Sequence, residues 1–192
     1  MSKRIALLSA AAFGALALTA TLVAPVSAQD KMKSEMSGEK TVMVGGAAMF
    51  PSKNIIQNAV NSKDHTTLVA AVKAAGLVDT LEGKGPFTVF APTNAAFGKL
   101  PAGTVDTLVK PENKATLTKI LTYHVVPGKL EASDLTDGKK LKTVQGEELT
   151  VKRSGDKVTI IDAKGGSSTV TIPNVNQSNG VIHVVDTVLM PS

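Results

Sequence analysis

Residues 87–97 read Phe-Thr-Val-Phe-Ala-Pro-Thr-Asn-Ala-Ala-Phe, and this stretch decides the fold. Phe87 and Phe90 lie on opposite faces of a strand, because side chains alternate along an extended chain. Pro92 ends the strand, since proline has no backbone N–H to donate. The two polar residues that follow are suited to cap a helix whose Phe97 folds back onto the strand. Each buried phenylalanine contributes roughly 1.5–3 kcal/mol, so the segment is predicted to form a core nucleus.

The chain before this segment, within residues 41–122, has a mostly helical pattern. Ser52 is placed to cap a short helix, and a second helix is predicted to begin at position 66 or 67. Gly76 stands where a left-handed cap would end that second helix. Another helix is expected after Pro111, with apolar residues at one-turn spacing.

From Tyr123 onward the apolar residues recur with a period of two, which predicts strands. The predicted strands are 123–126, 149–152, 158–160, 169–172 and 181–185, with a hairpin turn at 154–156. The last of them is apolar on both faces except for His183, which favours a central strand paired with residues 87–90. Helices followed by strands indicate an α+β fold, in which a helix-rich amino-terminal half packs on a mainly antiparallel sheet.

Three segments resemble boxes of the fasciclin domain family. They are residues 87–97, Tyr-His-Val-Val-Pro-Gly at 123–128, and residues 179–191, which begin Asn-Gly-Val-Ile-His-Val-Val. Their order and spacing agree with the family. The resemblance implies a compact wedge of strands with helices packed against it, expected as a single domain over residues 41–192. It also implies roles in adhesion and extracellular interaction, without known catalysis.

The resemblance further implies positions for partner binding. In related animal proteins this role is given to the Tyr-His segment and to an Asp-Ile pair ahead of the terminal box. The matching positions here are Tyr123-His124 and Asn174-Val175, and Asn174 lacks the carboxylate that an adhesion receptor's metal would bind. On chemical grounds Tyr123 and His124 are expected to be core residues instead, together with Phe87, Phe90, Phe97 and His183.

The first residues have the pattern of an export signal. A basic start is followed by an apolar run and by small residues that end at Ala28, so residues 1–28 are predicted as a signal peptide cleaved after Ala28. An uncleaved membrane anchor is the alternative, because the apolar run is nearly long enough to span a bilayer. Residues 29–40 are polar and charged and are predicted to be a disordered tether. We therefore expect an exported monomer, periplasmic or secreted, without a transmembrane anchor after processing.

The composition excludes several function classes. The 192 residues include no Cys, which excludes disulfides, thiolate metal sites and a nucleophilic thiol. With Lys3 and Arg4 removed, 19 basic residues face 16 acidic ones, and the net charge falls from +5 to +3. Arg153 is then the one arginine left, whereas nucleic-acid readout relies on arginine. The expected partner is a protein or glycan at the cell surface, and not nucleic acid.

The three histidines are where catalysis or metal binding would have to arise. His65, His124 and His183 lack the spacing of a zinc motif, and the chain has no nucleophile elbow. His65 is expected to be exposed, and the other two are expected to bond to carbonyls or side chains within the core. The sequence therefore predicts a binding or adhesion module that has no cofactor and is not an enzyme. Two alternatives stay open: a small-ligand carrier with an apolar pocket between helices and sheet, and a metal-assisted hydrolase using His124 and His183.

Overall fold

A computed structural model describes residues 40–192. The predicted signal peptide, its cleavage site after Ala28 and nearly all of the predicted tether lie outside these residues. Within residues 40–192, none of the helices combines the length and the hydropathy needed to cross a bilayer.

The helices of the described chain are short, and most of them precede the long strands. They are α1 (Ile55–Ala59), α2 (Thr66–Ala75), α3 (Val78–Glu82), α4 (Asn94–Gly98), α5 (Thr104–Leu108) and α6 (Lys114–Tyr123), with 3-10 turns at Lys63–His65 and Pro111–Asn113. The strands are β1 (Val42–Val44), β2 (Ala47–Met49), β3 (Phe87–Pro92), β4 (Val125–Pro127), β5 (Lys140–Lys142), β6 (Glu148–Ser154), β7 (Lys157–Ile161), β8 (Ser167–Gln177) and β9 (Gly180–Val185). The prediction of an α+β fold is confirmed.

The main sheet has seven strands in the order β4-β3-β9-β8-β7-β6-β5. β3 and β9 run parallel, from Phe87 opposite Gly180 to Pro92 opposite Val185. The other neighbours in this sheet are antiparallel. The predicted mainly antiparallel sheet and the predicted central position of the last strand, beside residues 87–90, are therefore confirmed.

The two edges of this sheet approach each other. The Val144 N–H, just after β5, donates to the Val125 carbonyl oxygen of β4 at 2.8 Å. Backbone groups at a strand edge are otherwise open to pairing with another chain. The sheet is thus curled, and it encloses apolar side chains on its inner side.

Apolar side chains pack in two clusters on the two sides of β3 and β9. The helix-side cluster lies between sheet and helices and includes Leu68, Val72, Val89, Phe97, Leu117, Leu121, Ile182 and Val184. The inner-sheet cluster lies inside the curl and includes Phe90, Tyr123, Val126, Leu141, Leu149, Val151, Val158, Ile160 and Val185. Both faces of β9 are therefore buried, as expected for a central strand.

The predicted strand at 123–126 is wrong at its start. Tyr123 is the last residue of α6, and His124 caps that helix with its N–H donating to the Leu121 carbonyl. The strand is limited to Val125–Pro127. A short apolar run does not distinguish a final helical turn from a strand by its period alone.

The helical interpretation of residues 41–122 misses a hairpin. Strands β1 and β2 pair antiparallel, and Gly45 and Gly46 form their turn with φ of 57° and 76°. Glycine adopts positive φ without steric cost, so the Gly-Gly pair was the available signal. Farther along, Asn54 rather than Ser52 caps α1, in a capping box with Gln57. Of the two predicted caps, Thr93 and Asn94, the structure uses Thr93. The predicted left-handed end at Gly76 is confirmed.

Asn179 joins three segments that are distant in sequence. Its Oδ1 accepts from the Ile55 N–H at 3.1 Å. Its Nδ2 donates to the carbonyls of Leu81 at 2.6 Å and Gly83 at 3.0 Å. One amide thus fixes the start of α1 and the end of α3 against the entry to β9.

Asn179→Ala is expected to lower the free energy of unfolding by about 2–4 kcal/mol, because three hydrogen bonds are lost and backbone groups are left unpaired. Urea unfolding followed by circular dichroism measures this. Asn61→Ala is the control, since exposed Asn61 makes one side-chain bond, to the Gln57 carbonyl, and its loss is expected to be under about 1 kcal/mol. Equal losses in the two variants would contradict the assigned role of Asn179.

Candidate functional site

His124 is buried where α6 meets β3 and the chain that follows β9. Its Nδ1 donates to the Ile120 carbonyl at 2.9 Å. Its Nε2 accepts from the Leu189 N–H at 3.0 Å, which fixes the tautomer. Burial lowers the pKa of His124 from 6.5 to about 4, although the Ile120 carbonyl and the Asp162 carboxylate act in the opposite direction. The ring is therefore neutral at pH 7, and both of its nitrogens are engaged.

His183 is fully buried in the central strand β9. Its Nε2 donates to the Leu130 carbonyl at 2.8 Å, and its Nδ1 accepts a long bond of 3.4 Å from the Asn174 N–H. Its ring stacks on Phe90, with centroids 5.7 Å apart and an interplanar angle of 26°. Burial lowers the pKa of His183, against the opposing effects of the Leu130 carbonyl and Glu131. This imidazole, too, has no open nitrogen.

Tyr123 is fully buried in the inner-sheet cluster. Its hydroxyl accepts from the Ala163 N–H at 2.8 Å and donates to the Glu148 carbonyl at 3.4 Å. Burial is the main cause that raises its pKa above 10. In this conformation the phenol links α6 to the curled sheet and presents no atom to a partner.

The expectation that His65 is exposed is wrong. The side chain is 2% exposed, and its Nδ1 lies 2.9 Å from the Ser62 Oγ. The 3-10 turn at Lys63–His65 gives the outer positions to Lys63 and Asp64 and turns the third side chain inward. Its Nε2 is buried without a hydrogen-bond partner. Burial lowers the pKa of His65, partly offset by the Ala91 carbonyl and Asp64.

Val175 lies in the interior, whereas Asn174 is half-buried and bonds to the protein itself. Asn174 has a φ of 57°, a conformation that asparagine adopts more readily than most residues. Its Oδ1 accepts from the Ala132 N–H at 2.7 Å, and its own N–H is the one that reaches His183. Val175 is 1% exposed and belongs to the helix-side cluster. The structure therefore connects Asn174 with His183 but does not gather the expected partner-binding residues on one surface.

The three phenylalanines of residues 87–97 lie on two sides of the sheet. Phe90 is fully buried in the inner-sheet cluster. Phe97 is buried in the helix-side cluster, and Phe87 packs on the same cluster while partly exposed. Because β3 alternates its side chains, the segment supplies both clusters instead of one nucleus.

Asp162 is a structural carboxylate that the sequence analysis did not single out. Its Oδ1 accepts from the N–H groups of Lys164 at 3.0 Å and Gly166 at 2.7 Å. Its Oδ2 accepts from the Met190 N–H at 3.1 Å. Aspartate two residues before a turn often accepts such bonds, so Asp-Ala-Lys-Gly-Gly was a usable signal.

The histidine and carboxylate side chains described above are poorly placed for metal binding or proton transfer. Among residues 40–192, no three His, Asp or Glu side chains are arranged to hold a metal ion. A histidine needs an unprotonated nitrogen with room beside it to bind a metal or accept a proton from a substrate. His124 and His183 have both nitrogens engaged, and the free Nε2 of His65 is buried.

An apolar cavity lies between the helices and the sheet, where the carrier alternative requires one. Its volume is about 30 Å³, and it is lined mostly by aliphatic side chains, with His65 and His124 in its wall. Pockets that hold metabolites measure roughly 300–1,000 Å³. Larger clefts lie at the surface: one of about 540 Å³ includes Lys84, Pro86 and Lys129, and one of about 380 Å³ includes Glu131 and Asn174. The open volume is thus on the outside of the molecule.

The buried histidines predict a pH-dependent stability. The folded-state pKa of about 4 for His124 lies below its usual 6.5, so its contribution is complete above pH 6.5 and is lost as pH falls toward 4. Between pH 7 and pH 5 this residue alone is expected to cost about 2 kcal/mol. Urea unfolding at both pH values compares the protein with His124→Gln, in which the loss should be smaller by that amount. The same loss in both proteins would contradict the assigned pKa.

Comparison with known proteins places these features in a family. The family model described as Fasciclin domain matches residues 63–191. Protein sll1483 of Synechocystis sp. is 50% identical over 153 residues, which are 80% of this chain and 82% of that protein. Immunogenic protein MPB70 of Mycobacterium bovis is 36% identical over 97% of this chain and 96% of its own length. Cell surface glycolipoprotein MPB83 of the same species is 40% identical over 77% of this chain and 64% of its own length.

A solved structure is similar in fold. It contains a FAS1 domain pair from the insect cell adhesion molecule fasciclin I, with a TM-score of 0.65 and 20% sequence identity. The match covers 73% of this chain and 52% of that chain, so the protein spans about half the length of the solved pair. Given the sequence match over residues 63–191 and the shared fold, the chain belongs to the fasciclin domain family.

Proposed function

We propose that this protein is an exported, non-enzymatic binding module that attaches to a protein or glycan at the cell surface or in the surrounding matrix. The observation that carries the proposal is that the side chains capable of catalysis or metal binding point into the interior. Tyr123, His124 and His183 are buried, and their polar atoms bond to the protein itself. Recognition is therefore left to the outer surface.

The family supports the same function. Its members include proteins named for the cell surface, such as the glycolipoprotein MPB83, and the fold is that of a cell adhesion molecule. These relatives favour a location outside the cytoplasm, periplasmic or secreted, which agrees with the predicted signal peptide at residues 1–28. A well-packed sheet presents a preformed surface, so partners are recognised by shape and hydrogen bonds with little rearrangement.

The two alternatives have less support. A metal-assisted hydrolase based on His124 and His183 would have to break the bonds from these rings to Ile120, Leu189 and Leu130 before either nitrogen could act. A small-ligand carrier would have to enlarge an internal cavity of about 30 Å³ roughly tenfold to reach the size of ordinary ligand pockets.

Cells that lack the protein are expected to lose surface attachment or biofilm cohesion. The measurement is the retained biomass of the deletion strain, compared with the same strain carrying the intact gene. Capture of envelope components by the purified protein, followed by mass spectrometry, identifies the partner. Normal attachment of the deletion strain in every medium tried would count against an adhesive role.

Tyr123→Phe separates a structural role of the Tyr-His segment from a binding role. Removal of the hydroxyl is expected to lower the free energy of unfolding by about 1–2 kcal/mol, because the Ala163 N–H loses its acceptor. Attachment should nevertheless be restored fully by this variant at a temperature where it stays folded. Urea unfolding and the biomass assay are run together. A stable variant that fails to restore attachment would show that Tyr123 contacts the partner.

A further inference from the structure

The outward face of strands β5 to β8 carries a regular polar array. In one cross-strand row Lys140, Thr150, Ile161 and Ser167 lie side by side, and in the next row Lys152, Thr159 and Thr169 do. Lys142 stands opposite Glu148 at the end of β5, and Lys157 is on the same side as Thr159. We call these residues the lysine–threonine face.

Burial shows that this array is the outer side of the sheet. The alternate residues Leu149, Val151, Val158 and Ile160 are at most 3% exposed and form the inner-sheet cluster. Lys140, Lys142, Lys152 and Lys157 are exposed, and the threonines between them are half-buried. Within the described chain, the hydroxyls of Thr150, Thr159 and Thr169 make no hydrogen bond. The face therefore presents threonine hydroxyls that make no hydrogen bond, set between exposed lysine ammonium groups.

The charge of this face is positive. Asp186, just after β9, borders the second row: its Oδ1 accepts from the Thr169 N–H at 2.9 Å, and its Oδ2 lies 3.7 Å from the Lys99 Nζ. On β5 to β8 themselves the four lysines are accompanied by one carboxylate, that of Glu148, whose Oε2 lies 3.4 Å from the Lys140 Nζ. Both of these side chains are more than half exposed, so their attraction is weak and easily exchanged for another partner. Asp156 sits at the tip of the β6–β7 hairpin, beyond the rows. The nearby Arg153 is directed to the other side, where its Nη1 donates to the Ala132 carbonyl.

We propose that the lysine–threonine face binds an anionic polysaccharide, which deepens the proposed function and rests on it. Lysines recognise carboxylate, sulfate or phosphate groups as point charges, and threonine hydroxyls bond to sugar hydroxyls. Neighbouring strands are about 4.8 Å apart and alternate residues on a strand about 6.8 Å, so charges and hydroxyls repeat on the scale of a sugar chain.

The composition of the face favours this ligand over two other anionic ones. Single-stranded nucleic acid is bound by stacking its bases on aromatic side chains, and the face has none. A lipid surface is entered by large apolar side chains, and the face offers Ile161 alone. A hydroxyl-rich sheet face with spaced positive charges matches a hydrated, negatively charged sugar polymer.

The test measures binding of the purified full chain to immobilised alginate, with neutral dextran as the reference polymer. Alginate should retain the protein at about 0.05 M salt and release it at about 0.5 M, because salt screens exposed charges. Replacement of Lys140, Lys142, Lys152 and Lys157 by Gln should weaken binding at least about tenfold, since each lysine near an anionic surface contributes about fivefold.

A matched variant keeps the change in net charge constant. Lys63, Lys73, Lys84 and Lys110 are exposed lysines outside the face, and their replacement by Gln should weaken alginate binding less than about twofold. Circular dichroism establishes that both variants are folded. Equal loss in the two variants, or no binding of the intact protein to alginate, would overturn the proposal. Tighter binding to poly-dT or to phosphatidylglycerol vesicles than to alginate would overturn it as well.

The attachment assay distinguishes a failure of this inference from a failure of the proposed adhesive function. Expression of the face variant in the deletion strain should fail to restore attachment, whereas the matched variant should restore it. If the face variant restores attachment and binds alginate as the intact protein does, the inference fails and the adhesive function stands. If the deletion strain itself attaches normally, the adhesive function fails regardless of what alginate binding shows.

Discussion

The parallel pairing of β3 with β9 is the constraint on which the rest of the structure depends. It brings residues 87–92 beside residues 180–185 and stacks Phe90 on His183 at the centre of the sheet. Gly180 is required for this approach, because a Cβ there would collide with the Phe87 backbone. The helices cover one side of the pair, and the curled strands β4 to β8 cover the other. Every side chain of β9 is consequently buried.

Because both faces of the β3–β9 pair are covered, His124 and His183 are buried and neutral. His124 and His183 lie where helix, central strands and curled sheet meet, and each ring supplies one donor and one acceptor to backbone groups that would otherwise be unpaired. Unpaired backbone groups in such a place are costly, so neutral imidazole is a suitable residue there. These histidines therefore stabilise the fold.

Much of the fold could be predicted from the sequence, because its signals are local. The Thr93 cap, the Gly76 helix end and the hairpin around Gly155 all follow from backbone preferences of single residues. The end of α6 could not be located, since the choice between a helical turn and a strand at Tyr123 depends on contacts distant in sequence. The burial of His65 was not predicted for a similar reason. Its contact with Ser62 is local, but the residues that cover its side chain belong to β3 and to helices distant in sequence.

The site was less predictable than the fold. The residues expected to bind a partner, Tyr123, His124, Asn174 and Val175, have polar types or family positions that suggest contact, yet their bonds go to Ala163, Ile120 and Ala132 inside the protein. The lysine–threonine face on β5 to β8 could not be predicted from the sequence either. Cross-strand register decides which lysines and threonines become neighbours, and register is set by pairing rather than by any one segment.

The central position of β9 has a consequence for biogenesis. Strands β3 and β4 can pair early, but the middle of the sheet stays open until residues 180–185 arrive, and pairings between distant segments form slowly. A nascent chain of this design cannot complete its main sheet until this last strand has been synthesised. In the export that we propose, this delay is useful, because a translocation channel passes an unfolded chain more readily than a folded domain.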